Sequence, residues 1–85
     1  FFLGQNYPNP FNPVTTIRFG LPNAVNVRLD IFDVTGRRVA TLVDGPMGAG
    51  IHDIEWNARR AASGIYFYRI KAGAITRTEK MILLR

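Results

Sequence analysis

The 85 residues are 47% hydrophobic, carry a net charge of +5 and contain no cysteine. That is room for one thin core, and it excludes a disordered tail, a disulfide framework and a thiolate metal centre. No apolar run reaches the ~20 residues of a membrane-spanning helix.

The chain opens at Phe1 on an apolar phrase, with neither a methionine nor a basic-then-apolar leader, so it is expected to be a piece of a longer protein. "NYPNPFNP", Asn6 to Pro13, follows. Pro8, Pro10 and Pro13 lack amide hydrogens and fix φ, and each holds its predecessor extended. Residues 1–13 therefore read as a rigid, irregular lead-in that covers a sheet edge. Tyr7 and Phe11 are expected to pin it to the body, and Asn9 and Asn12 to accept local turn hydrogen bonds.

"VTTIRFGLP" begins the first strand, with Thr15, Ile17 and Phe19 on one face. In "VNVRLDIFD", Val25, Val27, Leu29 and Ile31 alternate with Asn26, Arg28 and Asp30, the period of a half-buried strand. Phe32 breaks the polar face and is expected to cover a sheet edge. Asp33 then starts a turn in which Gly36 takes the left-handed conformation. "RRVATLV" is the next strand. Its inward set is either Val39, Thr41 and Val43 or Arg38, Ala40 and Leu42, and only the first keeps charge out of the core. "DGPMGAG", Asp44 to Gly50, is expected to be a loop.

"IHDIEW" places His52, Ile54 and Trp56 on one face and Asp53 and Glu55 on the other. "NARRAAS" makes one helical turn at most. "GIYFYRI" and "AITRTEKMILL" are two β-rich runs joined across Lys71 to Ala74, with Gly73 where a tight hairpin needs positive φ. The total is an all-β, immunoglobulin-like antiparallel β-sandwich of about seven short strands. Gly64-Ile65-Tyr66 has the order of a tyrosine corner, a turn in which the hydroxyl bonds back to the upstream backbone. Tyr68 then stands two residues on, and Trp56 is expected to fill the middle of the core.

Chemistry finds little support. His52 and Ser63, the one histidine and the one serine, are far apart in sequence and lack a supporting motif. The acids are scattered over outward strand positions, and Asp44 beside the glycines is a lone carboxylate. No cofactor, no metal and no catalytic residue is expected. The charge is uneven, with four arginines against five acids in residues 1–56 and seven basic residues against Glu79 alone in 57–85. Such a field suits nucleic acid or an anionic surface, and equally a set of solvated strand faces. In "YFYRIK" a base-stacking platform competes with the core for Tyr66 and Tyr68, and the core has the stronger claim.

Several separated phrases agree at once. "LGQNYPNPFNPVTTIRFGLP", "VRLDIFDVTGRRVATLVDGPMGAGIHDIEW", "ASGIYFYRIKAG" and "TRTEKMILLR" closely resemble, in order and over essentially the whole chain, the type A C-terminal sorting domain of type IX secretion cargo in Bacteroidota and related bacteria. The resemblance rests on Asn6 through Pro13, Asp33-x-x-Gly36-Arg37, Trp56, Ser63-Gly64-x-Tyr66, and Lys80-Met81-x-Leu83-Leu84. It implies a non-catalytic address at the C-terminus of an exported protein. Cargo of this kind crosses the periplasm, is moved outside by the outer-membrane type IX machinery, and is often cut by a sortase-like surface protease for anchoring or release.

Residue by residue, the resemblance assigns the family's motifs to Pro8, Asn9 and Pro10, to Gly64 and Tyr66, and to Lys80, Met81, Leu83, Leu84 and Arg85. Structural roles fall to Phe11, Gly36, Trp56 and Tyr68. Two departures stand out: a compact turn from Asn57 to Ser63, and Arg85 where relatives commonly carry lysine. The implied partners are the secretion machinery, the protease and an N-terminal cargo domain, with neither nucleic acid nor a membrane span. The rival functions are an accessory carbohydrate-binding module, which needs exposed coplanar aromatics, and a purely structural immunoglobulin-like spacer.

Overall fold

The computed structural model describes residues 1–85 and contains no helix. Seven strands form in chain order: β1 Phe2–Leu3, β2 Val14–Leu21, β3 Val25–Asp33, β4 Arg38–Met47, β5 Gly50–Asn57, β6 Gly64–Ala72 and β7 Ile75–Leu83. They pair antiparallel into a three-stranded sheet, β1-β2-β5, and a four-stranded sheet, β4-β3-β6-β7. The turn after β4 crosses from one sheet to the other, whereas β3–β4 and β6–β7 are hairpins within a sheet.

The alternation of the strands accounts for the core. Ile17 and Phe19 of β2 face Leu29 and Ile31 of β3, Tyr68 and Ile70 of β6, and Met81 and Leu83 of β7, all fully buried. Burying each aliphatic or phenyl side chain of this size contributes about 1.5–3 kcal/mol before the entropy of ordering it.

Two expectations hold in detail. Gly36 has φ +84° in the turn after β3, where Asp33 Oδ1 accepts from the amides of Thr35 and Arg37 at 2.9 and 3.1 Å. Gly73 has φ +59° in the two-residue β6–β7 turn.

Other expectations change. β4 follows neither proposed phase, because register shifts opposite Leu29/Asp30 and Ile31/Phe32 insert extra residues. Each extra residue resets the alternation. Ala40, Leu42, Val43 and Met47 consequently pack on the core while Val39 is exposed. The expected loop from Asp44 to Gly50 is mostly strand: β4 runs through Pro46 to Met47, leaving only Gly48 and Ala49 between β4 and β5. Proline is admissible there because β4 is an edge strand. Phe32 lies on the outer face of an inner strand, not at an edge, and the Arg69 guanidinium stacks 4.5 Å from its ring centre.

β1 was not foreseen. It is a two-residue ribbon on β2, with Phe2 opposite Gly20 and Leu3 opposite Phe19. Gly20 permits it, since a Cβ there would fall 2.2 Å from the Phe2 ring.

Candidate recognition surface

The lead-in is fastened by a buried polar network. Asn6, only 2% exposed, donates through Nδ2 to Thr15 Oγ1 at 2.9 Å and to the Pro8 carbonyl at 3.2 Å. The Thr15 hydroxyl itself donates to the Pro8 carbonyl at 2.9 Å. The Tyr68 hydroxyl reaches out of the core, accepting from the Asn6 amide at 2.9 Å and donating to the Gly4 carbonyl at 2.6 Å. Burial pushes the Tyr68 phenol up to about 12, a shift the Asn6 amide reduces and the Glu79 carboxylate reinforces.

Tyr7 does not pin the segment with its ring, which is exposed; its backbone pairs with Thr16 instead. Phe11 does, at 2% exposure, with its ring centre 5.8 Å from that of Trp56. The Tyr7–Pro8, Asn9–Pro10 and Asn12–Pro13 peptide bonds are cis.

The same segment lies along the C-terminal strand. Gln5 Nε2 donates to the Lys80 carbonyl at 2.9 Å, and the Ile82 amide donates to Asn9 Oδ1 at 3.0 Å. The Asn9 side chain thus accepts from a strand 73 residues away, not from a local turn. Phe11 and Leu83 form a parallel bridge in which the Phe11 amide donates to the Ile82 carbonyl and the Leu84 amide to the Phe11 carbonyl, each at 3.0 Å. Pairing with the lead-in satisfies the half of the β7 edge from Lys80 onward.

The last residue is also held. The Arg85 amide donates to Ser63 Oγ at 3.0 Å, and its guanidinium donates to the carbonyls of Ala58, Arg59 and Ala61 at 3.1, 2.6 and 2.9 Å. All three carbonyls converge on one nitrogen of Arg85, Nη1, and share its two hydrogens. The turn it clasps leads into the corner, where the Tyr66 hydroxyl donates to the Ala62 carbonyl at 2.6 Å. Gly64, at φ +154°, precedes it in a conformation that L side chains rarely adopt. Trp56 stands at the end of β5 against Phe11 and Tyr66, not in the middle of the core, which Tyr68 occupies. Trp56 and Tyr66 floor a cleft of about 650 Å³ that Asp33 and Arg37 of the Gly36 turn also line.

The motif residues therefore divide. Pro8, Asn9, Pro10, Lys80, Leu84 and Arg85 are exposed and lie along one ridge. Met81, Leu83, Phe11, Trp56, Tyr66 and Tyr68 are core side chains beneath it, and Gly64 is the residue opposite Leu83. Sequence reading placed Asn6 and Ser63 in motifs and Thr15 on an inward face, but it foresaw the hydrogen-bonding roles of none of them, nor of Gln5. An asparagine and a threonine flanking a proline-rich string were the available signal.

Catalytic geometry does not assemble. Ser63 Oγ is engaged by Arg85, and His52 Nε2 sits 2.7 Å from the Gly48 carbonyl. His52 is five residues before the end of β5, roughly 17 Å at about 3.4 Å per residue, from the turn that carries Ser63. No three histidine or acidic side chains come close enough to share a metal.

Comparison with known proteins agrees with this architecture. The fold is similar to part of a solved structure described as PorZ, an essential bacterial surface component of the type-IX secretion system of Porphyromonas gingivalis. The TM-score is 0.67 at 24% identity over 95% of this chain, which spans 11% of that one. No curated protein matches. The family profile described as the secretion system C-terminal sorting domain matches residues 5–84. With that match spanning nearly its whole length, the chain belongs to the secretion system C-terminal sorting domain family.

Proposed function

We propose that this domain is a non-catalytic export address, read as a folded body by the type IX machinery of the outer membrane. It is the C-terminal unit of a larger protein. Its cargo passes through the periplasm to the cell surface or the medium, and a sortase-like protease separates the two parts. The observation that carries this reading is the ridge: Gln5, Asn9 and Phe11, around Pro8 and Pro10, meet Lys80, Ile82 and Leu84 through four hydrogen bonds to their backbone. Two segments at opposite ends of the sequence become a single surface only when the chain is folded. A glycan platform is less well supported, since Trp56, Tyr66 and Tyr68 are buried.

The test is to fuse residues 1–85 to the C-terminus of a reporter with a signal peptide, in a bacterium with a working type IX system. Fractionation should place the fusion on the surface or in the medium and the bare reporter in the periplasm. A folded fusion that stays periplasmic would reject the reading.

A further inference from the structure

The four edges of the two sheets are not equally protected. β1 is two residues long, β4 is bulged twice and holds Pro46, and β7 is covered from Lys80 onward by the lead-in. Short strands, bulges, prolines and covering segments are how sheets avoid unwanted pairing. β5 has none of these. It runs eight residues without proline, in unbroken register with β2 from Val14↔Asn57 to Leu21↔Gly50.

The direction of its backbone groups follows from its partner. The Ala58 amide donates to the Pro13 carbonyl, while Arg18 and Thr16 turn their backbone groups to the lead-in side. Residues in step with Ala58, such as Ile54 and Trp56, therefore face β2. Ile51, Asp53 and Glu55 point their amides and carbonyls to solvent.

We propose that the free edge of β5 is a docking site that takes an extended strand of another protein by strand addition, one with a lysine or arginine opposite Glu55. The charge on this edge selects the occupant. Asp53 is already bound by Arg18 at 2.8 and 3.0 Å, but Glu55 is exposed and in no ion pair. A second copy pairing symmetrically through β5 would set Asp53 or Glu55 against another carboxylate in each central register, which is unfavourable. A strand with a basic residue opposite Glu55 meets attraction there and gains main-chain hydrogen bonds. If the domain is an export address, as proposed above, this edge is where a component of the machinery adds a strand.

The experiment uses the reporter fusion with Glu55→Pro and Glu55→Lys. Proline at Glu55 removes an amide that points away from β2, so the β2–β5 ladder keeps its bonds, whereas lysine keeps the amide and reverses the charge. Glu55→Pro should lower export about tenfold, the weight of one or two backbone hydrogen bonds, with Glu55→Lys falling between it and the parent. Sedimentation of the parent domain should show a monomer. Parental export by folded Glu55→Lys and Glu55→Pro fusions would overturn the docking site and leave the address intact. Should proline prevent folding, the Glu55→Lys fusion decides alone. A parental fusion retained in the periplasm would overturn both, and a dimer abolished by Glu55→Pro would replace the foreign strand with a second copy.

Discussion

The Tyr68 hydroxyl lies where the core meets the lead-in, and its two hydrogen bonds give it a measurable signature. Tyr68→Phe leaves the Asn6 amide and the Gly4 carbonyl without a partner, which should cost about 1–3 kcal/mol and lower Tm by several degrees in thermal melts. Because the folded-state pKa is raised to about 12, the unfolded chain ionises first as pH rises. The contribution of Tyr68 is complete below its ordinary pKa near 10 and is lost between about pH 10 and 12, a loss Tyr68→Phe should not show. The acids behave oppositely. Asp33 is held below its ordinary range chiefly by the Thr35 hydroxyl, and Asp53 by the Arg18 guanidinium. Burial pushes Asp30 up, but Thr41 and Arg28 together outweigh it and keep it low. Their stabilisation is present above about pH 4 and fades as pH falls below it, so urea midpoints should drop in acid. Tyr66 and its corner were legible because glycine-x-tyrosine has one local geometry. Asn6 was not, because the partners of a buried amide come from distant strands that composition does not locate.

Among the elements, β2, β3 and β5 were legible from alternation, since a strand with one buried face writes its period into the sequence, and β6 and β7 from β-rich composition around a glycine turn. β4 was legible as a strand only as far as Val43. Its two bulges hide its phase, and its edge position admits Gly45 and Pro46, which in isolation signal a loop. β1 escaped because two residues have no period at all. The turn from Ala58 to Ser63 depends on Arg85 across 24 to 27 residues, a link that no local pattern contains. Arg85→Ala removes three donor contacts from carbonyls near the surface. It should speed amide exchange in the Ala58–Ser63 turn and in Leu84 while costing only about 1–2 kcal/mol overall. Arg85→Lys should restore part of that protection. Equal exchange in all three proteins would show that the clasp does not hold the turn.

At the scale of the whole molecule, the core and the proposed ridge draw on the same segments, and this shapes how the function can be tested. Deleting Lys80 to Arg85 removes Met81 and Leu83, both fully buried, so such a truncation would lose the core together with the ridge. With a single thin core, the loss of two such side chains at about 2–5 kcal/mol each approaches the whole stability of a small domain. Only exposed positions separate the two effects. Lys80 and Leu84 are exposed, the latter at 55%, and their backbone bonds to the lead-in do not use their side chains. The decisive measurement is therefore export of the reporter fusion carrying Lys80→Ala and Leu84→Ala together, read beside the melting temperature of the isolated double variant. The expected result is a Tm within a few degrees of the parent and a reporter trapped in the periplasm. Parental export by a folded double variant would contradict the claim that the ridge is what the machinery reads.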